Sequence, residues 1–284
     1  MLHKKKVPLG NIHSQLQSAH TKAKKRLGQN FLIDENIRNI ILEAAELSAT
    51  DTVLEVGPGT GILTEKLAQR AARVAAVELD ETLAKRLKQK LAGHSNLEVV
   101  HADILHVNLN DILGSSRPYK VVANIPYYIT SPILHMFMHG ELKPALMVIM
   151  MQKEVAQDVT ARPGKMTFLS VSMQIFSRPA IVCRVPAASF YPLPRVDSAV
   201  VKFNMLPVPA ITVENMDDFL QFVHSGFAAP RKQLRNSLAI GLKKGPAEAE
   251  ELLKLAKIDS QRRPGTLELA EWWDLYCIVG GVSC

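Results

Sequence analysis

Three cysteines, Cys183, Cys277 and Cys284, are odd in number, far apart and without a Cys-x-x-Cys pair, so neither a disulfide framework nor a zinc site is expected. No metal site is suggested elsewhere. The longest apolar run, Ala145 to Met151, is far short of the roughly 20 residues that cross a bilayer. No apolar stretch follows the Lys4-Lys5-Lys6 start, so a secretory leader is not expected. Acidic residues are missing from positions 1–30, and internal repeats and low-complexity tracts are missing throughout. These absences set the expectation of a cytoplasmic chain with no membrane association.

What is present is a hydrophobic fraction of 47% in 284 residues, enough for one large domain or a large and a small one. The excess of 34 Lys and Arg over 27 Asp and Glu, a formal charge of +7, favours a polyanionic partner: nucleic acid first, an anionic membrane surface second.

The N-terminal run of Lys4, Lys5, Lys6, Lys22, Lys24, Lys25 and Arg26 fits a solvated tail, but it ends in Leu27-Gly28-Gln29-Asn30-Phe31-Leu32, whose apolar residues imply docking. Asp34 is placed to cap a helix with Ile37, Ile40, Ile41 and Ala44 on one face. Thr52 to Val56 then reads as a buried strand entering Gly57-Pro58-Gly59-Thr60-Gly61, with helical spacing beyond it, the start of a nucleotide-binding α/β unit. A second strand, Val74 to Val77, ends in Glu78-Leu79-Asp80, where such folds grip ribose hydroxyls. A third, Leu97 to Val100, ends near Asp103, which can accept from an adenine amine. A fourth, Val121 to Ala123, ends in Asn124-Ile125-Pro126-Tyr127.

In an open parallel sheet these strand ends line one crevice. The spacing Gly-x-Gly-x-Gly departs from the Gly-x-Gly-x-x-Gly of pyrophosphate binders and tilts the ligand from a dinucleotide toward S-adenosylmethionine, whose methionine end would lie over Gly57 and Gly59. The amide oxygen of Asn124 and the carbonyl of Pro126 can each accept one hydrogen of an exocyclic amine while Tyr127 stacks on the ring; a strand end followed by an ordinary proline turn is the bland alternative.

Further on, a helix is expected over 131–138, a strand over 145–151, a helix over 153–160 and a closing strand pair over 180–185 and 198–203. Between that pair, Phe190 and Tyr191 are held among prolines as a base-stacking wall or as ordinary loop packing. Past Leu206-Pro207-Val208-Pro209, helical patterns cover 218–228, 231–242, 247–258 and 266 onward. Arg231, Lys232, Arg235, Lys243 and Lys244 give this part a basic side suited to phosphates or simply to solvent.

Leu27 to Leu32, Glu55 to Thr64, Glu78-Leu79-Asp80, Asn124 to Tyr127, Gln152 to Val155, Phe190 to Val200 and Arg235-Asn236-Ser237-Leu238 together resemble the small-subunit ribosomal RNA adenine dimethyltransferases, from about Lys24 to about residue 270. The resemblance implies an α/β Rossmann-like methyltransferase sheet, mainly parallel with one reversed strand, and a small C-terminal all-α domain. It divides the chain into a basic tail (1–23), the methyltransferase domain (24–205) and a helical RNA-binding domain (206–284).

It further implies S-adenosylmethionine contacts at Asn30, Leu32, Gly57, Glu78, Asp103 and Asn124, and adenine contacts at Asn124, Tyr127 and Phe190. RNA would meet Lys24, Lys25, Arg26, Arg231, Lys232 and Arg235, and the partner would be small-subunit rRNA in an immature subunit, bound by a monomer. Two departures stand out: Met166-Thr167-Phe168 where relatives carry Tyr-Gly-Arg, and Pro230 ahead of Arg231-Lys232.

Overall fold

The computed structural model describes residues 23–24, 27–114 and 118–280. Seven strands form one sheet in the order β4-β3-β2-β5-β6-β9-β7: β2 (Thr52–Val56), β3 (Arg73–Glu78), β4 (Leu97–His101), β5 (Tyr119–Asn124), β6 (Leu146–Gln152), β7 (Ser177–Val185) and β9 (Ser198–Met205). Strands β4, β3, β2, β5 and β6 are parallel; β9 is antiparallel to β6 and β7 antiparallel to β9, so β9 is the one reversed strand. The central strands are buried on both faces, which is why they read as continuous Val, Ala, Ile and Met runs rather than as an alternation. Met147, Met150 and Met151, all at or near zero exposure, fill this core.

The chain moves outward from β2 to β3 and β4, then returns to place β5 on the other side of β2. That reversal opens a crevice between the carboxyl ends of β2 and β5, the place where open α/β sheets hold ligands. The α-helices that follow the strands are α1 (Glu35–Ala44), α2 (Thr64–Ala68), α3 (Glu81–Lys90), α4 (Leu109–Leu113), α5 (Thr130–His139) and α6 (Lys153–Val159). Asp34 caps α1 by accepting from the Asn36 and Ile37 N–H groups at 2.9 and 3.3 Å, as its sequence position predicts.

Helices α3 and α4, a further helix and a short strand pair lie outside the sequence expectations, and the last two bear on the site. Helix α7 (Phe168–Phe176) is nearly all buried and apolar, so it has no amphipathic period to read. It starts with a capping box in which Thr167 and Ser170 exchange side-chain and backbone bonds, which gives the Met166-Thr167-Phe168 departure a local structural role. The second is a two-stranded antiparallel pair, β1 (Phe31–Leu32) with β8 (Phe190–Tyr191), joining the N-terminal segment to the loop before β9.

The C-terminal helices are α8 (Met216–Gly226), α9 (Leu234–Leu242), α10 (Pro246–Leu255) and α11 (Leu269–Gly280). They share one hydrophobic core with the sheet, running from Val121 through Phe137, Met173 and Phe176 to Phe219 and Trp272. Ser237 stitches α9 to the end of α8, donating to Gly226 O at 2.7 Å and accepting from Ala229 N at 2.9 Å. Cys277 in α11 is disulfide-bonded, a bond the cysteine spacing does not announce, whereas Cys183 is a free thiol. Among the described residues no helix is long and apolar enough to cross a membrane.

Candidate active site

Gly57 and Asn124 follow directly from the sheet register, because Val56 at the end of β2 pairs with Ala123 of β5. The first turn glycine continues the ladder by donating from its N–H to Val77 O at 3.0 Å, then adopts φ +68°. A Cβ at this position would stand 3.3 Å from the Asn124 carbonyl, and one at Gly59, φ +57°, would stand 3.2 Å from the Phe31 ring. Both positions therefore need glycine for backbone geometry and for close approach.

The turn is tied to the neighbouring strand by Glu78. Its Oε2 accepts from Gly59 N at 3.0 Å and its Oε1 from Asp80 N at 2.9 Å. Burial raises the Glu78 carboxyl above the ordinary carboxylate range, offset in part by these N–H groups and reinforced by the charge of Asp80. Glu55, one strand over, is buried without a protein partner for its Oε2 among the described residues, and burial pushes it up to about 8. It is therefore a neutral acid behind the glycine turn at pH 7.

Asp80 is buried and accepts from Lys24 Nζ at 2.9 Å, from Gln29 Nε2 at 3.1 Å and from Thr82 N at 3.0 Å. Burial pushes its carboxyl up, but the bonds from Lys24 and Gln29 outweigh that and hold it below the usual range. Lys24, predicted from its tail as a phosphate contact, is thus an ion-pair partner that fastens the N-terminal segment over the end of β3. Lys25 and Arg26 lie outside the described residues. Asn30 donates from Nδ2 to Gly28 O at 3.2 Å, holding the turn that carries it, and Leu32 is buried in the β1–β8 pair.

Asp103 caps a short 3-10 turn by accepting from Leu105 N at 3.0 Å, and its second oxygen lies 3.1 Å from His106 Nδ1. A carboxylate offers about four lone-pair sites, so capacity remains for an amine. The Asn124 carboxamide makes no hydrogen bond among the described residues. The Pro126 carbonyl accepts from Ile129 N at 3.2 Å, which leaves it one lone pair. Tyr127, half-buried, has its hydroxyl 2.7 Å from Ser198 Oγ on β9, and that bond fixes the ring. Phe190, 4% exposed, reaches the same place through its pairing with Leu32.

These residues line one cleft that is open to solvent. Asn30, Leu32, Gly57, Gly59, Glu78, Asp103, Asn124, Pro126, Tyr127 and Phe190 are all on its wall. The charged side chains among its lining residues are Glu78 and Asp103; no Lys, Arg or His is among them. Such a wall suits a cationic, phosphate-free ligand and opposes a pyrophosphate. The glycine cradle, two acids at neighbouring strand ends and an apolar floor of Val56, Val77 and Ile104 fit S-adenosylmethionine. Arg231, Lys232 and Arg235 stand elsewhere, on α9 and the loop before it. Arg231 and Lys232 are exposed, while Arg235 Nη1 pairs with Glu250 at 3.3 Å. No group of three metal-ligating side chains occurs among the described residues.

Sequence reasoning missed the Lys24–Gln29–Asp80 junction and Tyr128 at the cleft mouth. The first required a long-range pairing, and the second sat unremarked beside a motif residue.

The chain is 46% identical over 263 residues to the ribosomal RNA small subunit methyltransferase A of Dehalococcoides mccartyi, covering 93% of this chain and 90% of that protein. It is 45% identical over 261 residues to the protein of that name from Pelotomaculum thermopropionicum, covering 88% of each. Among solved structures, the 23S rRNA methyltransferase ErmE superposes with a TM-score of 0.71 at 31% identity, covering 88% of this chain and 100% of that one. A dimethyladenosine transferase from Plasmodium falciparum superposes with a TM-score of 0.75 at 25% identity, covering 89% and 98%. The family model for ribosomal RNA adenine dimethylase matches residues 20–278, so with the mainly parallel sheet and its switch-point cleft in place, the chain belongs to the ribosomal RNA adenine dimethylase family.

Proposed function

We propose that this protein transfers methyl groups from S-adenosylmethionine to N6 of two adjacent adenosines in the 3′-terminal hairpin of small-subunit rRNA, giving N6,N6-dimethyladenosines during subunit maturation. The observation that carries this reading is a switch-point cleft with acids and no Lys, Arg or His on its wall and the Asn124 carboxamide uncommitted among its lining residues. The small-subunit assignment draws on 46% identity to a small-subunit methyltransferase against 31% to a 23S enzyme.

When bound, S-adenosylmethionine supplies an electrophilic methyl group on a sulfonium. Glu78 would hold its ribose, Asp103 its adenine amine, and the Gly57 to Gly59 backbone its methionine end, with Asn30 and Leu32 closing the near side. The target amine is a weak nucleophile because its lone pair is delocalised into the purine. Accepting its two N–H bonds at Asn124 Oδ1 and Pro126 O favours a pyramidal nitrogen, and Tyr127 and Phe190 hold the ring in line. The protein's contribution is orientation and transition-state complementarity. The base must leave its stack to enter, which favours a hairpin loop or a flipped nucleotide. Within the chain, residues 24–205 carry this chemistry and 206–284 present Arg231, Lys232 and Arg235 to phosphates, with Lys25 and Arg26 as the second basic contact beside Lys24, whose own charge is taken up by Asp80.

The test is mass spectrometry of rRNA from unmethylated small subunits incubated with the protein and isotopically labelled S-adenosylmethionine. Two neighbouring dimethyladenosines are expected in the 3′ hairpin; label found in 23S rRNA alone, or in no adenine, overturns the reading. Asn124→Ala should lower turnover by at least about 100-fold, the order lost when one preorganised transition-state contact is removed, with a much smaller change in cofactor affinity. Near-normal turnover would rule out the amine clamp.

A further inference from the structure

Tyr127 and Tyr128 are consecutive in the 3-10 turn Tyr127–Ile129, where successive side chains point about 120° apart. Their environments diverge accordingly. Tyr127 is turned inward and held by Ser198, whereas Tyr128 is 57% exposed at the mouth of the same cleft. Among the described residues it is the only Phe, Trp or Tyr side chain exposed to that degree, and its hydroxyl makes no hydrogen bond there. One side of the ring is braced by the N-terminal segment: a Cβ at Gly28 would lie 3.3 Å from two Tyr128 ring carbons and 3.4 Å from Pro126 Cβ. The chain thus runs bare backbone against the ring and leaves the rest of it to solvent.

A single exposed ring is ordinary on a protein surface. This one stands on the lip of a pocket read as taking an unstacked adenine, one residue after the ring that would hold that adenine. When a nucleotide leaves its stack, its neighbour loses a stacking face. An aromatic side chain at the pocket lip can replace that face, and every base can use it because each presents a π surface.

We propose that Tyr128 is a stacking platform for the nucleotide next to the target adenosine, so that the enzyme binds two consecutive bases, one on Tyr127 inside the cleft and one on Tyr128 outside. The proposal rests on the reading of the cleft as an adenine pocket. It gives the site a physical reason to prefer adjacent targets: the base waiting its turn is already docked at the entrance.

The experiment uses an RNA hairpin with 2-aminopurine next to the target adenosine, on the 5′ side in one series and the 3′ side in another. In wild-type protein and in Tyr128→Trp, 2-aminopurine fluorescence at one of the two positions should be quenched on binding. In Tyr128→Leu, which keeps apolar bulk without a π face, it should not. RNA dissociation constants should rise on the order of tenfold for the Leu variant. An abasic site at that same position should abolish the difference between wild type and Leu variant. Equal quenching by Leu and Trp, or a Leu effect that persists at full size opposite the abasic site, overturns the proposal and leaves Tyr128 as a brace for the N-terminal segment. Methyl transfer by wild-type protein to the hairpin without analogue is the reference. Its loss fails the adenine-pocket reading itself, whereas its presence with no dependence on the ring at position 128 fails this inference alone.

Discussion

The strand-end cleft and the C-terminal helices commit their charges in opposite ways. At the strand end, Glu78 on the cleft wall and Asp80 behind it are buried and bonded to backbone N–H groups and to the N-terminal segment, so their positions are set before any ligand arrives. On the helices, Arg235 is paired with Glu250, Lys244 with Glu248, and Arg262 with Glu271, while Arg231 and Lys232 are exposed with no ion pair among the described residues. Buried, prebonded groups give orientation, and exposed ones give long-range attraction that salt can screen. The two halves should therefore fail differently: damage to the cleft removes chemistry and cofactor, damage to the helices removes RNA.

The largest expected effect after the loss of Asn124 is Glu78→Ala, which removes a charged acceptor for ribose hydroxyls and should raise the cofactor dissociation constant by about 100-fold, from charged hydrogen bonds worth roughly 1.5–3 kcal/mol. Isothermal titration with S-adenosylhomocysteine reads it directly, and an unchanged constant would place the ribose elsewhere.

Next comes Glu55. Its folded value, pushed up to about 8 by burial, lies above the ordinary carboxyl value of 4.5. The folded state thus holds a proton that the unfolded state releases. Stability is full below the ordinary value and falls as pH rises through about 8. Each pH unit in that window carries about 1.4 kcal/mol, so wild type should lose about 2 kcal/mol between pH 5.5 and pH 7 that Glu55→Gln does not lose. Denaturant melts of both proteins at the two pH values test this, and parallel profiles would show that Glu55 is ionised in the fold.

On the helical side, the Arg231→Ala, Lys232→Ala double variant should weaken RNA binding by about tenfold and flatten the log–log salt slope by about one unit per lost phosphate contact, with cofactor affinity untouched. An unchanged slope would move the RNA to another face and dissolve the contrast between the two halves.

The smallest effect belongs to the junction between tail and sheet. Lys24→Gln should raise the cofactor dissociation constant only a few-fold, since a partly exposed ion pair is worth about 1 kcal/mol or less. Asp80→Asn keeps the helix cap but loses the charge, and should give the same loss without adding to it. Additive losses would mean that the two residues act separately.

How much of this was legible follows from the range of each interaction. The strands, the glycine turn, Glu78 and Asn124 are read from local runs and fixed offsets, and the structure brings all of them to one crevice. Helix α7 was not legible, because a helix apolar on nearly every side has no period to detect. The β1–β8 pair was not legible either, being two residues long and formed between segments some 160 positions apart. Lys24 looked like a free cation only because its acid lies 56 residues away. The Arg235-Asn236-Ser237-Leu238 marker mixes purposes: Ser237 and Leu238 are buried structural residues, and Arg235 alone of the four is a cation.

The short pairing of Phe31 and Leu32 with Tyr191 and Phe190 also fixes when the enzyme can become competent. One wall of its cofactor site is not available until translation has passed residue 191, so a nascent chain whose first five parallel strands are already complete would still hold an unfinished pocket.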